Sequence, residues 1–253
     1  MNAMTDDTTL RLDQALVARG LAETRARARD AVLRGHVTVD GRRAEKPGLA
    51  VRAEAALALD DPAAAYVSRA ALKLVGGLER YGYDPAGRVA VDLGASTGGF
   101  TEVLLQHGAK RVHALDVGHD QIHPRLRADP RVRVVEGLNV RDLQAEDVGE
   151  PFSALVCDLS FISLKLALMP ALTLAAPGSW GVFLIKPQFE VGRAGIGKGG
   201  IVRDKLEGER AAAAIVRWIE VEAGWITDGL APSPITGGDG NHEFLLGARK
   251  VPS

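Results

Sequence analysis

The chain has 253 residues, of which 46% are hydrophobic and 25% charged, with a formal net charge of −1 at pH 7. This length suits one α/β domain and a small accessory module, and no apolar run approaches the roughly 18 residues of a membrane helix. The polar start MNAMTDDTTLR predicts no export, so we expect a cytoplasmic protein, and the lone Cys157 and scattered histidines predict neither a disulfide nor a metal site.

Residues 8–60 predict a compact unit of two helices and a basic hairpin. RLDQALVARGL has helical apolar spacing, ETRARARDAVLRG begins at a possible threonine cap, and HVTVDGRRAEKPG turns at Asp40-Gly41. Between Arg11 and Lys46 nine basic side chains accompany five acidic ones, a local net charge of +4. Such a cluster favours contact with RNA phosphates, although a solvated helix face is the plainer interpretation. The expected RNA-binding residues here are Arg11, Arg25, Arg29, Arg34, Arg42 and Arg43.

The alanine-rich stretch EAALALDDPAAAY separates this unit from the rest of the chain. It lacks long aromatic or β-branched side chains until its end and contains the breakers Asp60, Asp61 and Pro62. It therefore predicts a linker, placed at residues 61–67, and a second domain at residues 68–253.

The second domain alternates strand-like and helix-like segments. The predicted strands are RVAVDLG, RVHALDV, RVRVVEG, SALVCDL, SWGVFLIK, WITDGLAP and HEFLLGARK; helices are expected in between, including LKLALMPALTLA. This alternation predicts a Rossmann-like, seven-stranded, mostly parallel sheet. Because no helix pattern joins the last two strands, they are expected to form an antiparallel hairpin at the edge.

The turn in VAVDLGASTGGF predicts a ligand site where a strand ends and a helix begins. It differs from the dinucleotide pattern, and an acid there would repel a diphosphate but attract the cationic sulfonium of S-adenosylmethionine. A second acid, Asp116, ends the next strand at the distance expected for a ribose-hydroxyl acceptor, and Asn139 follows the third. The expected cofactor-binding residues are Asp92, Gly94, Ser96, Gly98, Asp116, Asn139 and Asp158.

Four charged residues lie near element ends that converge at the carboxyl edge of such a sheet: Lys73, Asp158, Lys186 and Glu243. A ribose hydroxyl needs orientation, removal of its proton and stabilisation of the developing alkoxide, and lysines suit that chemistry. For Lys186 alone, a lysine extending its amine to solvent at a strand end is an equal alternative.

The segments YVSRAALKL, DLGASTGGFT, CDLSFISL, LIKPQFE and GNHEF resemble the TlyA family of rRNA 2′-O-methyltransferases, some members of which are labelled hemolysins. The resemblance spans nearly the whole chain and implies an FtsJ-type catalytic domain with a Lys73, Asp158, Lys186 and Glu243 tetrad. The N-terminal unit similarly resembles the RNA-binding module named for ribosomal protein S4. Ribosomal RNA, with a cytidine as target, is the implied substrate.

The glycine-rich segment GRAGIGKGG, residues 192–200, is interpreted as a basic flap, with a disordered loop as the alternative. Its Arg193 and Lys198, together with Arg69, complete the expected RNA contacts. Two other functions remain open: an RNA-binding ribosome-assembly factor without turnover, and a membrane-active hemolysin, although no membrane partner is expected.

Overall fold

The computed structural model describes residues 9–252. Residues 1–8, which form most of the segment on which the expectation about export depends, lie outside this range. The chain divides between Ala65 and Tyr66 into two compact units. Within the described range, no helix combines the length and apolarity that crossing a bilayer requires.

The first unit contains both predicted helices and the predicted hairpin. Its turn has Asp40 at φ 50° and Gly41 at φ 75°, as a two-residue hairpin of this hand requires. Leu12, Leu16 and Val32 are fully buried in its core. The elements are β1 (Thr9–Arg11), α1 (Leu12–Ala18), α2 (Arg25–Arg34), β2 (Val37–Val39), β3 (Arg42–Arg43), β4 (Ala50–Arg52) and β5 (Leu57–Leu59).

Three short strands of this unit were not expected. β1 pairs antiparallel with β4, and β5 pairs antiparallel with β2. The alanine-rich stretch is therefore partly a strand, because Leu57 and Leu59 pack against the small core. The end of the stretch, which begins at the predicted breaker Pro62, forms a single 3₁₀ turn at Pro62–Ala65.

The second unit is built on the predicted seven-stranded sheet. Its strands are β6 (Val89–Leu93), β7 (Arg111–Asp116), β8 (Val132–Glu136), β9 (Ala154–Cys157), β10 (Trp180–Ile185), β11 (Trp225–Pro232) and β12 (Phe244–Lys250). Its helices are α3 (Ala71–Tyr81), α4 (Gly99–Gln106), α5 (Pro124–Arg127), α6 (Ala145–Val148), α7 (Leu164–Ala167), α8 (Met169–Leu174) and α9 (Lys205–Val221). Short 3₁₀ turns follow β8 and β10 and occur twice in the flap.

The strand order is β11-β12-β10-β9-β6-β7-β8, and β12 runs antiparallel to both of its neighbours. The predicted edge hairpin is thus present, with β12 inserted next to β10. Apolar side chains alternate between the two faces and form one core layer on each. The carboxyl ends of five parallel strands therefore lie along one edge.

The predicted helix LKLALMPALTLA is two helices. α7 ends at Ala167 and α8 begins at Met169, with Pro170 in its first turn. Proline lacks the amide proton that a continuous helix would use and clashes with the preceding turn, which explains the break.

Candidate active site

Strand alternation brings the predicted polar residues to one face of the sheet. Ala90, Val156, Leu184 and Leu245 belong to the core layer that also contains Ala71 and Leu74 of α3. The residues two positions further toward the carboxyl edge are Asp92, Asp158, Lys186 and Glu243, and successive side chains alternate between faces. All four therefore belong to the α3 face of the sheet, at or just beyond the strand ends.

Lys186 forms an ion pair with Asp158. Its Nζ lies 2.6 Å from Asp158 Oδ1, and the side chains are 11% and 15% exposed. The same Nζ donates a hydrogen bond of 2.8 Å to Ser160 Oγ. Partial exposure leaves the amine accessible while two oxygens fix its position.

Lys73 and Glu243 form a second, more deeply buried ion pair. Lys73 Nζ donates to Glu243 Oε2 at 2.6 Å, with side-chain exposures of 7% and 2%. Ile185 pairs with Phe244 across β10 and β12, so the residues that extend this register are Lys186 and Glu243. The two ion pairs are consequently neighbours, and each lysine has its own carboxylate.

Two adjoining cavities lie at this edge. The larger, of about 440 Å³, is lined among others by Asp116, Asn139 and Phe161. The smaller, of about 160 Å³, is lined by Ser68, Phe100 and Lys186 among others. Gly94, Ser96, Asp158 and Ser160 line both, so the larger cavity continues toward the Lys186 amine. A further cavity of about 450 Å³, lined by Val148 and Phe152, contains none of the predicted residues.

Asp116 organises the loop that borders both cavities. Its Oδ2 accepts a hydrogen bond from Ser96 N at 2.8 Å, and its Oδ1 accepts one from Gly118 N at 2.8 Å. Ser96 has φ 46° and donates through its hydroxyl to Gln121 Oε1 at 3.0 Å. Gly94 has φ +80°, and a Cβ there would lie 2.7 Å from the Asp158 carbonyl oxygen, so only glycine fits this strand end.

Asp92 lies beneath this loop and does not line either cavity. It is fully buried, and its Oδ2 accepts a hydrogen bond from Thr101 Oγ1 at 2.7 Å, whereas Oδ1 has no partner. Burial, with smaller contributions from the charges of Asp158 and Asp116, raises the pKa of Asp92 to about 7. Gly98 also lies off the cavities, where it precedes α4 with φ 97°.

Several residues at the site were not predicted. Ser160 lies in the segment CDLSFISL, but residue type and spacing give it no role, and Gln121 carries no recognisable signal. Phe161 is 91% exposed with φ 66°, and its ring centroid lies 5.2 Å from that of Phe189. A chain bend that places an aromatic ring in solvent cannot be inferred from residue spacing.

The predicted RNA-binding arginines of the first unit have different surroundings. Arg11 and Arg25 both pair with the buried Asp13, which lowers the pKa of that carboxyl, yet their side chains stay half-exposed. Arg34 is only 13% exposed between Asp30 and Asp61. The remaining predicted arginines, Arg29, Arg42 and Arg43, are exposed.

The predicted RNA contacts of the second unit lie on the flap and just before α3. Arg193 and Lys198 are exposed on the flap. Arg69, just before α3, donates to the Thr236 carbonyl oxygen at 3.3 Å. Within residues 9–252, no three His, Cys, Asp or Glu side chains are grouped as metal ligands would be.

Comparisons with known proteins agree with this arrangement. Residues 66–250 match the FtsJ-like methyltransferase family and residues 10–57 match the S4 domain. The 16S/23S rRNA (cytidine-2′-O)-methyltransferase TlyA of Mycobacterium tuberculosis is 45% identical over 240 residues, which is 94% of this chain and 89% of that protein. Hemolysin A of Brachyspira hyodysenteriae is 38% identical over 93% of this chain and 98% of that protein. A solved structure of a hemolysin-named protein from Streptococcus thermophilus is 40% identical, covers 98% of this chain and 90% of that one, and has a TM-score of 0.75. The chain therefore belongs to the TlyA family, which combines an FtsJ-like methyltransferase domain with an S4 domain.

Proposed function

We propose that this protein transfers a methyl group from S-adenosylmethionine to the 2′-hydroxyl of a cytidine ribose in ribosomal RNA. The observation that carries the proposal is the Lys186–Asp158 ion pair at the end of a cavity large enough for a nucleoside. The similarity to a protein named as a 16S/23S rRNA (cytidine-2′-O)-methyltransferase supports the choice of acceptor.

The larger cavity has the chemistry that S-adenosylmethionine requires. Asp116 uses one acceptor position of each carboxylate oxygen for a backbone amide and retains others for ribose hydroxyls. Leu138 and Ile162 supply apolar walls for an adenine, with Asn139 at its edge. Asp116, and Asp92 whose Oδ1 has no hydrogen-bond partner, add negative potential, which suits a cation. When bound, this cofactor would supply an electrophilic methyl group.

In the proposed mechanism, Lys186 handles the acceptor hydroxyl. Its Nζ donates to Ser160 and lies in ion-pair contact with Asp158, and we direct another of its N–H groups to the ribose 2′-oxygen. That hydrogen bond stabilises negative charge as it develops on the oxygen. With Lys186 as an ammonium, the Asp158 carboxylate can accept one proton. It can therefore receive the proton that leaves the ribose hydroxyl. The Lys73–Glu243 ion pair fixes the part of the site next to Lys186.

The exposed cations of both units are proposed to hold the RNA. Arg29 and Arg42 are exposed and are proposed to contact backbone phosphates, which position an RNA without specifying its sequence. Arg43 is also exposed, although its guanidinium donates a hydrogen bond to the Arg34 carbonyl oxygen at 3.4 Å. Arg193 and Lys198 are proposed to do the same from the flap. Arg34 is engaged by two carboxylates, so its role in this proposal is structural. We place the activity in the cytoplasm, where a ribosomal RNA substrate would be met.

Transfer of labelled methyl groups from S-adenosylmethionine to isolated 30S and 50S subunits tests the proposal. We expect 2′-O-methylcytidine in at least one subunit with the intact protein. Lys186→Ala should lower transfer by at least about a hundredfold. Lys110→Ala should not, because Lys110 is exposed just before β7, at the other end of the strands.

Two results would reject the proposal. Binding of ribosomal RNA without any methyl transfer would favour an assembly factor. Transfer to a base rather than to ribose would retain the enzyme class but reject the acceptor chemistry.

A further inference from the structure

One buried side chain joins the end of the flap to the loop that carries Glu243. Asn241 is 2% exposed. Its Oδ1 accepts a hydrogen bond from Val202 N at 3.0 Å, and its Nδ2 donates to the Gly200 carbonyl oxygen at 2.9 Å. The amide therefore matches one acceptor and one donor of the same backbone segment, which fixes its orientation.

The segment held by Asn241 is an ordered hairpin. Ile196 and Val202 form an antiparallel bridge. Gly197 N donates to the Ile201 carbonyl oxygen at 2.7 Å, and Arg203 N donates to that of Gly195 at 3.0 Å. The segment interpreted as a flap, residues 192–200, is therefore the tip of a hairpin whose base is anchored by these bonds.

The backbone of Asn241 is connected to the buried Lys73–Glu243 ion pair through Gly237. Gly237 N donates to the Asn241 carbonyl oxygen at 2.9 Å, and Ser233 N donates to that of Glu243 at 2.9 Å. A Cβ on Gly237 would lie 2.7 Å from Glu243 Oε1, so the loop backbone packs directly against this carboxylate. A continuous set of contacts runs from the flap through Asn241 and Gly237 to Glu243 and Lys73.

We propose that Asn241 is a positioning residue, which uses the anchored flap to fix the Glu243 carboxylate in its ion pair with Lys73. The inference deepens the proposed methyl transfer and rests on it. Asn241 touches no acceptor or cofactor in this scheme; it acts through Glu243. An isosteric change at residue 241 should therefore alter turnover more than the binding of either substrate.

Asn241→Asp in the full-length protein provides the test. The substitution keeps an acceptor for Val202 N but places a carboxylate against the Gly200 carbonyl oxygen. Hydrogen exchange across residues 192–203, measured without RNA or cofactor, should accelerate about tenfold. The kcat for rRNA methylation should fall about tenfold, whereas the KM for RNA and the Kd for S-adenosylmethionine should change less than about twofold. His242→Gln, an exposed neighbour, should leave flap exchange unchanged.

Gly237→Ala tests the same chain of contacts from the other side, because its added Cβ displaces the Glu243 carboxylate without touching the flap bonds. It should lower kcat while flap exchange stays at the wild-type value. If Asn241→Asp does not fold, Asn241→Ser carries the first test.

The proposal is overturned if flap exchange accelerates and kcat stays within about twofold of wild type, or if flap exchange does not change. Absence of methyl transfer by the wild-type protein would instead reject the proposed function, while the exchange measurement would still report on the flap anchor.

Discussion

Replacing Lys73 with methionine should destabilise the second unit strongly, because it removes the only charged partner that the described structure gives the Glu243 carboxylate. The pair is 2.6 Å apart and its side chains are 7% and 2% exposed, so water cannot take the place of the ammonium. Breaking a buried ion pair from one side costs about 3–5 kcal/mol. Urea unfolding followed by tryptophan fluorescence isolates this effect, since Trp180, Trp218 and Trp225 all lie in the second unit.

The matched control is Lys205→Met, which removes a surface pair with Glu209 at 3.8 Å in which the lysine is 74% exposed. That pair should contribute less than about 0.5 kcal/mol. Combining Lys73→Met with Glu243→Leu should recover stability to within about 1 kcal/mol of wild type, because no buried charge then remains unpaired. The reasoning is wrong if Lys73→Met costs no more than Lys205→Met, or if the double variant is less stable than the single one.

Further predictions concern the cofactor edge and the RNA surface. Lys186→Ala should lower methyl transfer by at least about a hundredfold, the contribution of a positioned proton-handling group, with calorimetric affinity for S-adenosylmethionine retained. The pKa of Asp92 is raised to about 7, so between about pH 4 and pH 7 the native state keeps a proton on Asp92 that the unfolded chain has released. The free energy of unfolding should therefore decrease as pH rises through this interval. In urea unfolding, the change that Asp92→Asn makes to the free energy of unfolding should therefore be more stabilising at pH 8 than at pH 5. An equal change at both pH values would contradict the raised pKa of Asp92. Arg29→Ala should weaken RNA binding and reduce the salt slope by about one, whereas Arg34→Ala should chiefly lower the melting temperature; the opposite pattern would reassign the two residues.

The sequence predicted the sheet because its signals are local and repeated. Short β-branched runs ending in polar residues, each followed by a glycine turn or a helix, predict a mostly parallel sheet covered by helices. Antiparallel pairing of β12 was predicted from the lack of a helix before it. The strands β1, β4 and β5 escaped prediction because each has only three residues and depends on a partner far along the chain.

The site was predicted at the level of residue types at strand ends, and less well at the level of contacts. Asp92 was expected to bind the cofactor, but it lies inside its strand beneath the loop that carries Gly94 and Ser96, where its side chain is bonded to Thr101. The pairing of each lysine with a carboxylate of its own was likewise not predicted. Ser160 and Asn241 act through hydrogen bonds that depend on loop conformation, for which a single sequence offers no periodic signal.

The choice of a cationic cofactor follows from the charge that this edge leaves uncompensated. Asp158 is balanced by Lys186, and Asp116 accepts bonds only from neutral donors. Asp92 lies near both acids, and their negative charges add to the effect of burial, which raises the pKa of Asp92. A diphosphate placed in the larger cavity would increase this repulsion, while a sulfonium and an ammonium would relieve it and favour the ionised form of Asp92. Binding of S-adenosylmethionine near pH 7 should accordingly release protons, in an amount that depends on pH and disappears in Asp92→Asn, and calorimetry in buffers of different ionisation enthalpy measures it directly.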